Sequence, residues 1–181
     1  HFTDRRQRQM CIRDRARGTR ISMLDSMNLW IEIARDDLLA VMKSVDLIII
    51  NDGEVRMLAE DDNLIRASRQ LIGMVGCQTL IIKKGENGVL AFHGDDMIAL
   101  PAYPTENVVD PTGCGDSFAG TIAACLAANN GPISKSELRD ALIRATVTAS
   151  FTLESFGTSG LIGLTLEKFK LRLAQFEEIL S

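Results

Sequence analysis

The chain has 181 residues, 46% of them hydrophobic and 24% charged, with a net charge of −4. That length suits one domain with a sizeable core, and the acidic balance argues against nucleic acid as the main partner. No apolar run approaches a membrane span, and Cys11, Cys77, Cys114 and Cys125 have neither metal-ligand spacing nor disulfide density, so the cytoplasm is the expected compartment.

The first twenty residues stand apart. Seven arginines face only Asp4 and Asp14, a balance of +5, which leaves −9 on the rest. The segment has little apolar content and no helix or strand period. One reading is a basic nucleic-acid arm. The preferred one is a non-native or disordered segment, because residues 9–15 (Gln-Met-Cys-Ile-Arg-Asp-Arg) look like translated adapter sequence and the chain opens on His1. Residues 1–20 are therefore set aside, and 21–181 are expected to fold.

Residues 20–24 make a short strand ending at Asp25-Ser26-Met27-Asn28. Residues 30–45 follow as a helix with Ile31, Ile33, Leu38, Leu39, Val41 and Met42 on its apolar positions. The continuous apolar run 46–50 suits a strand covered on both faces. Two helices are expected over 52–58 and 64–75, then a strand over 79–83 and the turn Gly85-Glu86-Asn87-Gly88. Residues 89–92 and 97–100 form a hairpin around His93-Gly94-Asp95-Asp96. Pro101 and Pro104 break structure before a buried strand end at Val108-Val109. A long helix over 136–154 opens with a capping signal, Ser134-Lys135-Ser136-Glu137. An amphipathic helix over 165–180 carries Leu166, Phe169, Leu173, Phe176 and Leu180. Alternating strands and helices imply a mostly parallel sheet with helices on both faces, and such sheets bind ligands at the carboxyl ends of their strands. The glycine turns at 85–88 and 113–115 are both expected to follow strands and to face one crevice.

The densest chemistry lies in Asp110-Pro111-Thr112-Gly113-Cys114-Gly115-Asp116, leading into a small-residue helix expected to begin near Asp116 (Phe118-Ala119-Gly120-Thr121-Ile122-Ala123-Ala124). Gly113 and Gly115 let the backbone approach a ligand closely. Amides at a helix N-terminus, aided by the macrodipole, attract anions. Asp116 sits at the rim of that pocket. Its plain role is helix N-capping; its chemical one is a base beside a phosphate cradle.

This segment resembles the second signature of the PfkB/ribokinase family of sugar and nucleoside kinases. Asp110, Thr112, Gly113, Cys114, Gly115 and Asp116 match it in order, with Cys114 where alanine is usual. The resemblance runs over about residues 21–163 and covers only the C-terminal half of a family member. It implies a ribokinase-like three-layer α/β/α sandwich, with the lid and the N-terminal half absent. It also implies transfer of the γ-phosphoryl of ATP to a sugar or nucleoside hydroxyl, with Mg²⁺. Asp116 would be the base, and the amides of Gly113, Cys114 and Gly115 the anion hole.

Other positions take roles from the same resemblance. Asn51-Asp52-Gly53-Glu54 matches an Asn-x-x-Glu element that helps place Mg²⁺ and phosphate through water, although Asn51 and Glu54 equally read as a helix cap. Lys83, Lys84, Gly85, Glu86, Asn87 and Gly88 lie where the family touches the nucleotide, although Asn-Gly is also a strong turn signal. Asp110 and Thr112 match positions that hold a monovalent cation, K⁺, in some relatives; turn capping is the alternative. Phe156 and Gly157 sit where the family closes over adenine, although a phenylalanine there more often packs in the core. Asp25 and Asn28 resemble the strand-end Asp-x-Asn of some sugar kinases at a shifted spacing, which leaves them without an assigned role. The full-length protein is expected to act on a small molecule, without nucleic acid or membrane, and to form a homodimer.

Two alternatives stand beside the kinase. A truncated chain could bind nucleotide without turnover. A class I S-adenosylmethionine-dependent methyltransferase has a similar glycine loop, but its spacing differs by one residue and it normally follows the first strand. A phosphate-binding Gly-x4-Gly-Lys-Ser/Thr run does not occur.

Overall fold

The computed structural model describes residues 21–181, so the expectations for residues 1–20 lie outside the described residues. Five strands form one sheet in sequential order: β1 (Met23–Asp25), β2 (Leu47–Asn51), β3 (Thr79–Lys83), β4 (Val89–His93) and β5 (Asp96–Leu100). β1, β2 and β3 pair in parallel. β4 runs antiparallel to β3, and β5 antiparallel to β4. Four strands thus share one direction and β4 alone opposes them, as the expected hairpin requires.

Among the described residues seven α-helices accompany the strands: α1 (Asn28–Met42), α2 (Asp52–Ala59), α3 (Leu64–Val75), α4 (Cys114–Ala127), α5 (Lys135–Leu153), α6 (Ser159–Ile162) and α7 (Leu166–Ile179). The two-residue period of a strand sorts the core. Leu47, Ile49, Ile81, Val89, Ala91, Ile98 and Leu100 face one side and pack on α4, α5 and Phe176 of α7. Ile48, Ile50, Leu80, Ile82, Leu90 and Phe92 face the other and pack on α1, α2 and α3. The result is the expected three-layer α/β/α arrangement. The apolar runs of β2 and β3 are unbroken because both of their faces are covered.

Helix starts are set by local hydrogen bonds. Asn63, Ser134 and Thr165 each accept a backbone N–H from the first turn of α3, α5 and α7, and such caps contribute about 1 kcal/mol each. His93, assigned no chemistry from sequence, ties the sheet to the α5 entry through Thr79 Oγ1 at 2.8 Å and Ile133 O at 2.9 Å.

Three expectations are corrected. Val108 and Val109 form no strand end; both are exposed, and the N–H groups of Val109 and Asp110 donate to Leu153 O at the end of α5. Two β-branched residues are too few to hold a strand without a neighbour. The second glycine turn therefore follows a long coil rather than a strand, and its helix starts at Cys114, ahead of Asp116. Helix α1 spans 28–42 rather than 30–45, is broken at Ala34 (φ −152°, ψ 39°), and leaves Ile33 64% exposed beside Trp30 at 47%.

A clamp joins the C-terminal helix to this coil. Arg172 lies 3.6 Å over the Phe151 ring and 5.0 Å from the Tyr103 ring centroid. It donates to Ser150 Oγ at 3.0 Å and to Glu154 Oε2 at 2.8 Å. The other oxygen of Glu154 accepts from Thr105 Oγ1 at 2.7 Å.

Candidate active site at the strand ends

The parallel strands end side by side with polar residues: Asp25 on β1, Asn51 on β2 and Lys83 on β3. Asn51 and Lys83 are direct neighbours in the ladder, and Asp25 stands beside Ile49 of β2. Lys83 spans β2 to reach Asp25, placing Nζ 2.8 Å from Oδ1 and 2.9 Å from Oδ2.

Under that bridge starts α2. Asn51 Oδ1 accepts from Glu54 N–H at 2.8 Å, and Glu54 Oε2 accepts from Asn51 N–H at 2.7 Å. This is a full capping box, so the capping role is real. It uses only half of Glu54. The residue is 1% exposed, and its Oε1 has no partner. Burial pushes the Glu54 carboxyl above its ordinary value; the Asn51 amide and the Lys83 charge pull the other way, and Asp25 adds to the rise. A buried carboxylate oxygen without a partner costs free energy, and a hydrated divalent cation is a partner it could take.

α4 closes the group from the other side. Gly113 sits at its N-cap in the left-handed region (φ 83°), with no side chain capping the helix. Cys114 N–H donates to Pro111 O at 3.1 Å and Ser117 N–H to Gly113 O at 2.9 Å. The amides of Gly113, Gly115 and Asp116 have no recorded partner among the described residues. The Cys114 amide is thus already engaged, while its neighbours are open. A Cβ added to Gly115 would lie 3.2 Å from Lys83 Nζ, which puts the ammonium against the first turn of α4. The carboxylate of Asp116 is exposed and has no partner among the described residues.

The remaining candidates separate. Asp110 Oδ1 accepts from Thr112 N–H at 2.9 Å, and these Thr112 hydrogen bonds hold its carboxyl below the usual range. That is turn closure. No group of three or more His, Cys, Asp or Glu side chains suited to a metal occurs among the described residues. Residues 84–88 fold on themselves as a 3-10 turn, with Lys84 N–H on Gly88 O at 2.8 Å, Asn87 N–H on Lys84 O and Gly88 N–H on Gly85 O. Gly88 is required by packing, because a Cβ there would lie 2.1 Å from Leu100 O. Glu86 and Asn87 are exposed. Phe156 is 72% exposed, so it is not a core residue; Gly157 beside it has φ 58°. No hydrogen bond or ion pair joins these two to the Asp25–Lys83–Glu54 group. Cys114 donates its thiol to Ala149 O at 3.6 Å, and burial, then the Asp110 charge, raise its pKa.

Sequence reasoning left Asp25 unassigned. The only signal was an acid at a predicted strand end followed by Asn28, and the shifted spacing hid it.

The chain is 34% identical over 122 residues to a cytidine kinase of Thermococcus kodakarensis, covering 65% of this chain and 43% of that one. An aminoimidazole riboside kinase from Salmonella enterica, solved with aminoimidazole riboside and an ATP analogue, shares the fold at TM-score 0.72 and 21% identity, over 84% of this chain and 52% of that one. A ribokinase-type protein from E. coli, solved with ATP and Mg²⁺, matches at TM-score 0.68 and 24% identity, over 83% and 47%. The chain therefore spans about half the length of these solved structures and less than half of that cytidine kinase. All three are described as kinases, and the methyltransferase alternative has no counterpart among them. The family model described as pfkB family carbohydrate kinase matches residues 8–162, beginning inside the basic segment, and the chain belongs to that family.

Proposed function

We propose that the intact protein moves the γ-phosphoryl group of ATP to a hydroxyl of a sugar or nucleoside, and that residues 21–181 are the C-terminal portion of its kinase domain. The observation that carries this reading is the first turn of α4: open amides, an uncapped N-terminus, the Lys83 ammonium beside Gly115 and a free carboxylate at Asp116. An anion is stabilised there by amides and macrodipole together. As the acceptor oxygen attacks the γ-phosphorus, Asp116 takes its proton, the bond from phosphorus to the β-bridging oxygen breaks, and ADP leaves. The amides of Gly113 and Gly115, with Lys83, hold the charge on the phosphoryl oxygens. The Cys114 amide joins them only by releasing Pro111 O.

The unpartnered Glu54 Oε1 fits a hydrated Mg²⁺ in outer-shell contact, with Asn51 beside it. Held there, Mg²⁺ would neutralise phosphate charge. Glu54 keeps its other oxygen on the Asn51 amide and so holds a fixed orientation. Asp110 and Thr112, matched to a K⁺ site in the sequence, have turn closure as their supported role. The acceptor class rests on the family and on the cytidine kinase relative.

Asp116→Asn in the protein carrying the family's full length tests the base. ATP affinity is expected to stay within about twofold while turnover falls about 10²–10⁴-fold, the usual range for a general base. Unchanged turnover rejects the assignment. The second reading, nucleotide binding without turnover, is favoured for this chain alone by its span; ATP binding with no transfer to any sugar or nucleoside supports it.

A further inference from the structure

Lys83 stands where electrostatics alone would not put it. The N-terminus of α4 carries the positive end of the helix dipole, which repels an ammonium. Yet Lys83 Nζ would be only 3.2 Å from a Cβ at Gly115. Asp25 is what balances it, with both carboxylate oxygens on Nζ at 2.8 and 2.9 Å. The two residues lie 58 positions apart, on strands either side of β2. The pair is a product of the sheet and not of any local turn. Both side chains keep partial solvent contact, 22% for Lys83 and 31% for Asp25. Two of the three ammonium N–H groups serve Asp25, leaving one for a further acceptor. Next to them Glu54 Oε1 is fully buried without a partner, a second and independent sign that the cluster is completed by something added.

We propose that Asp25 is a positioning residue for the terminal phosphates of the nucleotide: it anchors the Lys83 ammonium over the first turn of α4, so that ammonium and open amides converge on one anion. This rests on the kinase reading above. A lysine stem is long and flexible, and ordering it in advance removes that cost from binding. Without Asp25 the ammonium would leave the dipole's positive end, and the phosphate would have to recruit it back.

Calorimetric titration of the 181-residue chain with ATP and with AMP, in Mg²⁺, tests this with the parent, Asp25→Asn, Asp25→Glu, Lys83→Met and the Asp25→Asn/Lys83→Met double variant. The parent is expected to bind ATP more tightly than AMP. Asp25→Asn and Lys83→Met should each lower ATP affinity about tenfold, the scale of one charge-assisted hydrogen bond, and leave AMP affinity unchanged. The double variant should be no weaker than either single one, and Asp25→Glu should recover most of the loss. Asp25→Asn binding ATP as well as the parent or better, while Lys83→Met loses affinity, overturns the proposal, since Asp25 would then compete with phosphate or stand idle. Equal loss of ATP and AMP overturns it too, as a general structural defect. A parent that binds neither ATP nor AMP overturns the proposal for this chain; the kinase reading concerns the intact protein and falls only if that protein transfers no phosphoryl group.

Discussion

Two glycine turns looked alike in the sequence, and the structure leaves their backbone groups in different states. The turn at 84–88 spends its backbone groups on itself, and Gly88 is needed because Leu100 and Pro101 press against it. The turn at 110–115 leaves amides open, carries no side-chain cap, and has nothing closer to a Gly113 Cβ than Thr152 Cγ2 at 3.7 Å. A glycine that lets two stretches of backbone touch and a glycine that opens a helix beside unsatisfied amides share one letter. They are told apart by whether the neighbouring N–H groups are already satisfied.

The sharpest way to break this contrast is at the open turn's acid. Asp116→Asn, measured by turnover as above, carries the largest expected effect, about 3–5 kcal/mol of transition-state stabilisation at 10²–10⁴-fold. Next is the closed turn. Gly88→Ala should destabilise folding by about 3 kcal/mol or more, because backbone atoms must move and φ is 81°; a denaturant midpoint close to the parent's would show that the turn yields easily. Gly115→Ala should do the reverse. Its Cβ meets only the far end of the Lys83 side chain, at 3.2 Å, and not backbone, so the denaturant midpoint should hold or rise while displacement of the ammonium lowers ATP affinity several-fold in calorimetry. Unchanged affinity would remove Lys83 from the cradle.

The smallest stability effect is expected at Glu54. Glu54→Gln keeps an acceptor for the Asn51 amide, so the cap survives. Burial raises the folded pKa above 4.5, the ordinary value. The native chain therefore binds its proton more tightly than the unfolded chain, and stability falls as pH rises from 4.5 through the folded pKa. The glutamine variant should lack that slope in melting curves taken across this window, and should lose the Mg²⁺ dependence of ATP binding. A parent whose melting temperature rises through the same window would contradict the buried, unpartnered carboxylate.

Much of the fold was legible. The runs Leu47–Asn51 and Thr79–Lys83 are apolar without interruption because helices cover both faces, and α3 announces itself by spacing and by Asn63. The hairpin was marked by its turn residues. What stayed hidden depends on distance in sequence. No local pattern can pair Asp25 with Lys83 across 58 residues, or tell that Phe156 faces solvent. Val108 and Val109 misled because β propensity reports fit to a pleated surface, and no strand lies beside them to provide one. At Asn51-Asp52-Gly53-Glu54 the two readings were never rivals, since one carboxylate has two oxygens and can serve a cap and a cation together.

The Arg172 clamp has a remote consequence. It staples the closing helix to the end of α5, and Leu153 at that end carries the amides of Val109 and Asp110. The approach to the proposed phosphate cradle hangs from a hook that the last helix keeps shut. Damage far downstream, such as clipping between α6 and α7, would slacken the loop that presents Asp110 while leaving every residue of the cradle intact.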